Sequence, residues 1–401
     1  MTAENDIAVL GTGAMGAGIA QVAAVHGWSV RMIDCDPETA ARSKDGISRR
    51  LQRQVEKGRM SESEATDALN RLAVVKSNSE LDSCEVLLEA IVEDLDIKAK
   101  AISPLLDHLP SDAIIATNTS SLSVTELGER LGCPSRVAGM HFFNPAPIMK
   151  LVEVIRGRES DAGVVDRIAE IASSWNKHVA IAADTPGFIV NRVARPYYLE
   201  AFRCMEDGLA TADLIDETMR TLGGFRMGPF ELTDFIGHDV NTATTRTVWE
   251  CWDRPTRLAP SLIQEQLVAE GRLGKKSGSG VYDWSTEPPS PTIQPSHEAS
   301  TIPGFDMTSV MKMANQMNAS CENPIQQIVF ARILFAVLNE ALWARHDGVA
   351  EATDIDTAMQ YGVNYPMGPF KWMDEIGQDL VKETMKSLES MTGDGRFITP
   401  D

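Results

Sequence analysis

Hydrophobic positions in the first half of the chain fall into short runs separated by longer helical stretches. Seven runs rich in apolar and β-branched residues predict strands between residue 7 and about residue 183: IAVLG, VRMID, VLLEAIVE, AIIATNT, RVAGMHFF, LVEVI and HVAIAA. Stretches such as GAGIAQVAAVHG and AKAISPLLDHL have the pattern of helices. Because strands that alternate with helices form βαβ units, residues 1–185 are predicted to form an α/β domain with a mostly parallel, doubly wound sheet.

Beyond the segment DTPGF at residues 184–188, strand patterns largely stop and long helical patterns begin. The stretch 199–240 recurs as the stretch 339–380, which indicates one helical module present twice. Identical residues at corresponding positions are Glu200/Glu340, Gly208/Gly348, Asp216/Asp356, Gly228/Gly368, Pro229/Pro369, Asp234/Asp374 and Gly237/Gly377.

The repeat sets the predicted domain limits in the second half of the chain. A first helical domain is predicted over residues 186–284 and a second over residues 309–401, here called the first and second modules. The intervening stretch, 285–308, is rich in proline and serine and predicts an extended linker.

Composition is that of a soluble globular protein of two or three domains, with 401 residues, 43% hydrophobic and 23% charged. No apolar run reaches the roughly 18 residues expected of a membrane-spanning helix, and the N-terminus has no secretory signal pattern. The six cysteines are scattered without a CxxC pair, which argues against a zinc site or disulfide framework and favours the reducing cytoplasm.

The net charge of −20 makes nucleic acid an unfavourable partner. One segment, residues 42–59, departs from this trend, since it holds seven basic residues against two acidic ones. It is either a solvated helix face or a site for an anionic ligand.

A glycine-rich turn follows the first predicted strand. In VLGTGAMGAGIA, Gly11, Gly13 and Gly16 form a GxGxxG pattern that opens a helix. Gly11 permits the tight turn, Gly13 lets backbone approach a pyrophosphate, and Gly16 lets the helix pack closely on the sheet. The helix N-terminus offers unpaired N–H groups to the phosphates. The alternative is a tight βα turn that binds nothing.

The next predicted strand ends in MIDCD, where Asp34 lies 18 residues beyond Gly16. A carboxylate at this position accepts hydrogen bonds from ribose hydroxyls and repels a 2′-phosphate. The sequence therefore predicts a dinucleotide site and favours NAD over NADP.

The stretch MHFFNPAPIMKLVEVI, residues 140–155, has the pattern of a strand, a proline-containing turn and a second strand. Alternation puts Glu153 on the face of Leu151 and Ile155, where a half-buried carboxylate requires a partner. If the turn brings the strands together, His141 is that partner, and the pair would fix the imidazole tautomer and stabilise its protonated form. Such a pair suits reversible proton transfer to an alcohol oxygen while hydride exchanges with nicotinamide. The alternative for His141 is an ordinary core residue.

Seven motifs in this order resemble those of the L-3-hydroxyacyl-CoA dehydrogenases: GTGAMGAGIAQ, EAIVED, TNTSSL, HFFNPAPIMKLVEVI, DTPGFIVNR, GGFRMGPFELTDFIG and GRLGKKSGSGVYDW. The resemblance covers residues 7–284 nearly continuously and the second module from about residue 321. It implies a Rossmann-like NAD-binding domain followed by two all-α modules like the C-terminal domain of 6-phosphogluconate dehydrogenase. The two-module form looks most like the 3-hydroxybutyryl- and 3-hydroxyadipyl-CoA dehydrogenases of bacterial aromatic and dicarboxylate degradation.

The resemblance implies catalytic roles for single residues. His141 corresponds to the family's catalytic base, and Glu153 to the carboxylate that orients it. Ser120 and Asn191 match residues that hydrogen-bond the reacting oxygen, while Asn144 matches a residue that touches both cofactor and substrate. The alternative for Ser120 is a helix N-cap, which its place in NTSSLSVTEL also fits.

Further contacts follow from the same resemblance. Glu93, Lys98 and Lys276 match residues that contact the cofactor. The basic segment falls where the family holds coenzyme A, with Lys57 as the first expected contact and Arg50 as the second.

The second module departs from the family pattern at one informative position. Ala331 stands where the first module has Asn191, and no second nucleotide-binding domain accompanies it. The second module is therefore predicted to be structural. Because single-module relatives dimerise through this helical domain, the second module is expected to pack on the first as an internal copy of that interface, with further homo-oligomers possible.

Together these features predict a cytoplasmic, NAD-dependent enzyme that oxidises an (S)-3-hydroxyacyl-CoA, of the 3-hydroxybutyryl- or 3-hydroxyadipyl-CoA class, and runs in reverse with NADH. Fatty-acid β-oxidation and phenylacetate or adipate degradation are the expected settings. The alternatives are a dehydrogenase of free 3-hydroxy acids, an NAD(H)-binding structural protein, and an inactive partner subunit.

Overall fold

The computed structural model describes residues 5–295 and 323–400, together with Thr308 and Lys312. The chain divides into two compact units, the first ending at Phe188 and the second beginning at Ile189. An eight-stranded sheet forms the centre of the first unit, and the second unit is built mainly of helices from both modules.

The sheet of the first unit is mostly parallel, as the sequence predicted. Its order is β3-β2-β1-β4-β5-β6-β7-β8, and only β6 and β7 are antiparallel neighbours. The strands are β1 (Asp6–Leu10), β2 (Ser29–Ile33), β3 (Leu72–Val74), β4 (Val86–Glu89), β5 (Ile114–Thr117), β6 (Val137–Phe142), β7 (Leu151–Arg156) and β8 (His178–Ala183). The direction of strand order reverses between β1 and β4, and ligands of such sheets bind at the carboxyl ends of strands beside this reversal.

The central strands are buried on both faces because helices cover the sheet, which is typical of parallel sheets. These helices are α1 (Ala14–Val25), α2 (Pro37–Glu56), α3 (Glu62–Asn70), α4 (Leu95–Leu106), α5 (Val124–Leu131) and α6 (Ala162–Ser174), with short 3-10 turns at Asn78–Leu81 and Pro134–Arg136. Helix α2 begins where the side chain of Asp36 accepts a hydrogen bond from the N–H of Glu38, with Pro37 in the first turn.

The first module of the second unit comprises α7 (Val190–Val193), α8 (Arg195–Glu206), α9 (Ala212–Thr221), α10 (Pro229–Ile236), α11 (His238–Cys251) and α12 (Leu262–Ala269), with 3-10 turns at Thr256–Leu258 and Lys275–Ser277. The described part of the second module comprises α13 (Pro324–His346), α14 (Ala352–Gly362), α15 (Pro369–Ile376) and α16 (Gln378–Thr392).

The two modules share one local device. Asp216 accepts hydrogen bonds from the first backbone N–H groups of α10, and Asp356 does the same at the start of α15. Gly228 and Gly368 allow the close approach, since an added Cβ would lie within 2.3 Å of the respective aspartate. The repeated sequence therefore folds into a repeated structure.

The modules differ at their first helix. In the first module the chain breaks between α7 and α8, where Pro196 lies in the first turn of α8. Proline lacks an N–H and clashes with the preceding turn, so the two segments cannot form one continuous helix. Ala336 occupies the corresponding position of the second module, and α13 continues without a break for 23 residues.

Helix α13 is long and apolar enough to cross a membrane by length and composition alone, with a mean hydropathy of 1.4 over its most apolar window. That window is 72% buried inside the structure. An apolar helix enclosed by other helices is typical of a domain core.

Reciprocal ion pairs join the two modules. Arg192 of the first module places Nε 2.6 Å from Glu340 and Nη2 2.5 Å from Asp347. The corresponding Arg332 of the second module places Nε 2.7 Å from Glu200 and Nη1 2.7 Å from Asp207. Each partner in one set lies 140 residues from its counterpart in the other. This is the reciprocal pattern that a two-fold axis generates.

The beginning of the predicted linker is ordered. Residues Ser290–Pro291 form strand β10, which pairs antiparallel with β9 (Tyr282–Asp283). The first residues of the predicted linker thus include one strand of a short antiparallel pair. Residues 296–307 of the predicted linker, and most of residues 309–322 of the second module, lie outside the described part of the chain.

Candidate active site

Several predicted site residues of the first unit lie at the carboxyl ends of neighbouring parallel strands. The glycine turn follows β1, Asp34 follows β2, Glu93 follows β4 and Ser120 follows β5. His141 is the penultimate residue of β6. Because parallel strands end at the same edge of a sheet, the topology brings these side chains to one edge.

The three glycines of the turn have separable structural reasons. Gly11 has φ +91°, which L side chains rarely adopt, and an added Cβ would lie 2.6 Å from the carbonyl oxygen of Ala90. A Cβ on Gly16 would lie 1.8 Å from the carbonyl oxygen of Gly11, so Gly16 packs against the turn itself. A Cβ on Gly13 would meet nothing within 4 Å.

The open space at Gly13 fits a dinucleotide pyrophosphate. Gly13 is the exposed N-cap residue of α1, and as a glycine it has no side chain that could cap the helix. The first N–H groups of α1 therefore face a position that phosphate oxygens can approach without a steric obstacle. Gly13 has φ −63°, which other residues also adopt. The open space beside Gly13, and not its backbone conformation, is therefore the feature that fits a ligand.

Asp34 is held beside this turn by Thr12, a residue that the sequence analysis did not single out. The backbone N–H and the hydroxyl of Thr12 donate to Oδ2 of Asp34 at 2.9 and 2.6 Å. Burial raises the pKa of Asp34, but these hydrogen bonds outweigh it and lower the pKa below its usual value. The threonine within GTG, one residue after Gly11, was the available signal. Oδ2 is thus occupied, while Oδ1 has only longer contacts, at 3.3 and 3.4 Å.

His141 and Glu153 form the expected pair. They are direct partners in the antiparallel ladder of β6 and β7, and Nδ1 of His141 lies 2.7 Å from Oε2 of Glu153. Glu153 is completely buried and His141 is 6% exposed. An ionised carboxylate only accepts hydrogen bonds, so it fixes the tautomer with the proton on Nδ1 and leaves Nε2 as the basic nitrogen.

Aromatic rings enclose the imidazole within the first unit. The ring centroids of Phe143 and Phe188 lie 4.7 and 5.9 Å from that of His141. The β5 loop also supports this strand, because Asn118 Oδ1 accepts from the N–H of Phe142 at 2.8 Å. Asn118 was another residue absent from the sequence-based site, although an asparagine directly after a strand was a visible signal.

The turn between β6 and β7 is braced from outside the hairpin. Nζ of Lys177 donates to the carbonyl oxygens of Ala146 and Met149 at 2.6 and 2.7 Å. Burial lowers the pKa of Lys177 to about 8. Asn144, which precedes a cis peptide bond to Pro145, is exposed on this turn.

Glu93 organises the loop that carries Ser120. Its Oε1 accepts from Thr119 Oγ1 at 2.7 Å, from the N–H of Ser120 at 2.8 Å and from Ser121 Oγ at 3.1 Å. Burial raises the pKa of Glu93, but the hydrogen bond from Thr119 and the charge of Lys98 outweigh it, and the pKa lies below its usual value. Glu93 and Ser120 are therefore brought together.

Lys98 is placed differently from a direct ligand contact. Its side chain is 1% exposed, and Nζ lies 2.6 Å from Oε1 of Glu89 and 3.2 Å from Oε2 of Glu93. Glu89 also accepts from Thr117 Oγ1 at 2.6 Å. Lys98 thus links the buried end of β4 to the carboxylate that holds the Ser120 loop.

The N-cap alternative for Ser120 is wrong. Helix α5 begins after Ser123, whose hydroxyl accepts from the N–H of Glu126 at 3.1 Å. Asp184 further accepts from the N–H groups of Val124 and Thr125 at 3.1 and 2.8 Å. Ser120 lies three residues earlier, half-buried in the loop.

The predicted basic segment forms most of α2 and the turn after it. Arg50 is half-buried, its Nε donates to Gln21 Oε1 at 2.7 Å, and its Nη2 is buried without a hydrogen-bond partner in the described structure. Burial and the charge of Arg49 lower the pKa of Arg50. Lys57 is exposed at the C-terminal end of the helix.

Two predicted site residues lie in the second unit. Asn191 is half-buried on the one-turn helix α7. Lys276 is exposed, and its Nζ lies 2.5 Å from Oδ1 of Asp239. Within residues 5–295 and 323–400, no group of three or more His, Cys, Asp or Glu side chains could hold a metal ion.

Comparison with known proteins identifies relatives that span nearly the whole chain. The family described as 3-hydroxyacyl-CoA dehydrogenase, NAD binding domain, matches residues 6–185, and the one described as 3-hydroxyacyl-CoA dehydrogenase, C-terminal domain, matches residues 187–284 and 328–400. The chain is 38% identical to the 3-hydroxyadipyl-CoA dehydrogenase of Escherichia coli strain K12, over 98% of this chain and 95% of that protein.

Two further relatives show the same likeness. The chain is 38% identical to the probable 3-hydroxybutyryl-CoA dehydrogenase of Bacillus subtilis strain 168, over 70% of this chain and 97% of that protein. The crystal structure of a 3-hydroxybutyryl-CoA dehydrogenase from Escherichia coli K12 matches with a TM-score of 0.86 at 36% identity, covering 99% of this chain and 97% of that one.

Proposed function

The chain belongs to the 3-hydroxyacyl-CoA dehydrogenase family, and we propose that His141 is the base with which it oxidises an (S)-3-hydroxyacyl-CoA to the 3-oxoacyl-CoA. The enzyme is an NAD-dependent oxidoreductase. The observation that supports the role of His141 is its buried, 2.7 Å contact with Glu153 at the carboxyl edge of the sheet.

The proton moves at Nε2 of His141. As the substrate O–H bond breaks, Nε2 accepts the proton and the imidazole becomes positively charged. The carboxylate of Glu153, on the opposite ring nitrogen, stabilises that charge and keeps the ring oriented. NAD held at the glycine turn would supply the acceptor for the hydride from C3 of the substrate. In the reverse direction, Nε2 returns the proton to the oxygen.

Three residues are proposed to position the reacting oxygen: Ser120, Asn144 and Asn191. The hydrogen bonds from Ser120 and its neighbours to Glu93 fix the Ser120 loop before substrate binds, so less conformational freedom is lost on binding. Asn144 is exposed on the turn of the catalytic hairpin, where it is available to ligands.

The cofactor is proposed to lie across the turn formed by Gly11, Gly13 and Gly16, with its pyrophosphate at Gly13 and a ribose on Asp34. Glu93 and Lys276 remain proposed cofactor contacts. For Lys98 we propose an indirect role, because its ammonium is enclosed by Glu89 and Glu93 and is 1% exposed.

Coenzyme A is proposed to bind along the basic segment of α2. Lys57 offers an exposed ammonium group, and the half-buried Arg50 adds a second positive charge on the same segment. Relatives named for 3-hydroxybutyryl-CoA and 3-hydroxyadipyl-CoA make these two acyl groups the proposed substrates. We also propose a cytoplasmic location.

We further propose that the second module replaces a partner subunit. The reciprocal pairs of Arg192 with Glu340 and of Arg332 with Glu200 support an internal copy of a two-fold interface. Residues 1–290 expressed alone would expose the buried α8 surface, so we expect aggregation or dimerisation. A soluble, active monomer of that fragment would contradict the proposal.

The test of function is NADH oxidation by the purified protein with acetoacetyl-CoA, 3-oxoadipyl-CoA and free acetoacetate. Turnover of a CoA ester but not of the free acid is expected, and the ratio of kcat/KM values identifies the preferred acyl group. Turnover of free acetoacetate alone would favour a dehydrogenase of free acids. NADH binding without any turnover would favour a non-catalytic protein.

A further inference from the structure

Asn191 lies on α7, a helix too short to be stable in isolation. Helix α7 has only four residues, Val190–Val193, and Pro196 prevents it from continuing into α8. A single helical turn is unstable in isolation because forming it orders several residues for one hydrogen bond. The position of Asn191 therefore depends on what packs against α7.

The second module supplies much of that packing. Helix α7 contacts α13 and α14 of the second module as well as α8 and α11 of the first. Val190 and Val193 are buried, and the side chain of Arg192, directly after Asn191, is fully buried. Fixing Arg192 consequently fixes the backbone that carries Asn191.

Three groups hold the Arg192 guanidinium. Glu340 and Asp347 lie 2.6 and 2.5 Å from its nitrogens, and the ring centroid of Trp252 lies 3.8 Å from its central carbon. Arg257 binds the second oxygen of Glu340 at 2.6 Å, which fixes that carboxylate in turn. Both carboxylates on Arg192 belong to the second module.

The corresponding arrangement around Arg332 has no polar residue to position. Arg332 follows Ala331, and it binds Glu200 and Asp207 at similar distances, although Asp207 is more exposed than Asp347. Arg396 contacts the second oxygen of Glu200 at 3.3 Å, as Arg257 does for Glu340. Here the neighbouring side chain is a methyl group, and α13 is continuous at this point.

From this asymmetry we infer that the second module is a positioning element for the reaction, with Glu340 and Asp347 holding Asn191 in place through Arg192. The inference rests on the proposed function, in which Asn191 binds the reacting oxygen. It assigns to the second module a task beyond covering an apolar surface. The symmetric Arg332 site serves cohesion of the two modules alone.

The experiment compares Glu340→Gln with Glu200→Gln in the full-length protein. Glu200 is the corresponding residue of the other module, and its variant is here called the mirror variant. Both variants remove one buried charge from the same interface, so both lower Tm. Glu340→Gln is expected to lower kcat for the CoA ester by on the order of tenfold or more, because small displacements of positioning groups are costly. Glu200→Gln is expected to change kcat by less than about twofold, and NADH Kd stays unchanged in both variants.

A double-mutant cycle with Asn191→Ala separates positioning from general destabilisation. Once Asn191 is removed, Glu340→Gln has nothing left to misplace, so its effect on kcat should largely disappear. Equal losses of kcat in the two mirror variants, or an undiminished effect in the Asn191→Ala background, would overturn the inference. An inactive wild-type protein would instead refute the proposed function.

A second pair of variants covers the case in which Glu340→Gln does not fold. Asp347→Asn and its mirror Asp207→Asn remove partly exposed partners, 21% and 50% exposed, from the same arginines. A larger loss of kcat in Asp347→Asn than in Asp207→Asn supports the inference. Equal values of kcat for these two soluble variants overturn it.

Discussion

Glu89 and Lys98 form a buried ion pair at the end of β4, with Nζ 2.6 Å from Oε1 and side chains that are 0% and 1% exposed. The pair connects the sheet to Glu93 and through it to the Ser120 loop. Removing one partner of such a pair leaves the other charge buried and uncompensated.

Lys98→Met is therefore expected to lower the free energy of unfolding by about 3–5 kcal/mol. The matched control is Lys100→Met on the same helix, where Lys100 is exposed and the expected change is within about 0.5 kcal/mol. Urea denaturation of the full-length variants measures both. Equal stability of the two variants would show that the ion pair is not needed to keep Glu89 buried.

Glu153→Gln is expected to lower kcat on the order of hundredfold or more, because a neutral amide cannot stabilise the protonated imidazole of His141. NADH Kd should change by less than about twofold, since Glu153 belongs to the catalytic pair and not to the glycine turn. The exposed Glu159, just beyond β7, provides a control in Glu159→Gln. Steady-state kinetics and fluorescence titration of NADH measure the two quantities. Equal losses of kcat and NADH affinity would contradict the assigned role.

The glycine turn offers a test of which glycine faces the cofactor. Gly13→Ala adds a methyl group with nothing within 4 Å, so Tm should be retained while NADH Kd rises about tenfold or more, equivalent to about 1.4 kcal/mol. Gly16→Ala would put its methyl 1.8 Å from the Gly11 oxygen and should lower Tm. Calorimetry with and without NADH separates the effects. Unchanged NADH affinity in Gly13→Ala would place the pyrophosphate elsewhere.

Thiol labelling reports on cofactor binding beside Asp34. Burial raises the pKa of Cys84 and Cys204 to about 12, and the thiolate is the reactive form, so iodoacetamide at pH 8 should spare both. The exposed Cys35 and Cys251 should be labelled.

Saturating NADH should slow labelling of Cys35, whose Sγ lies 3.4 Å from Asp34, and leave labelling of Cys251 unchanged. Peptide mass spectrometry gives the rate at each cysteine. Similar protection of both thiols, or of neither, would argue against a ribose on Asp34.

The sequence was most informative where the periodicity of side chains determines which residues meet. His141 and Glu153 face each other because strand alternation and a short turn determine both the register and the face of each side chain. Gly11 and Gly16 were equally predictable, since a βα turn before a helix restricts φ at the first and packing distance at the second. The repeat of the helical module was visible because identical residues recur at a constant spacing.

Other features depend on contacts that no local pattern encodes. Strand β3 has three residues, too few to show alternation, and it was missed. The burial of Lys98 follows from the position of Glu89 on a neighbouring element, and the family resemblance, which implied a cofactor contact, does not encode it. Ser123 and Ser120 both precede α5, and only the start of the helix decides which one caps it.

The joining of both modules in one polypeptide changes how their interface responds to dilution. In a dimer of separate chains, the fraction of paired subunits falls as the protein is diluted. Here Arg192 and Glu340 share a chain, so their encounter is governed by an effective concentration that the connecting segment sets. The pairing of the two modules should therefore be independent of protein concentration.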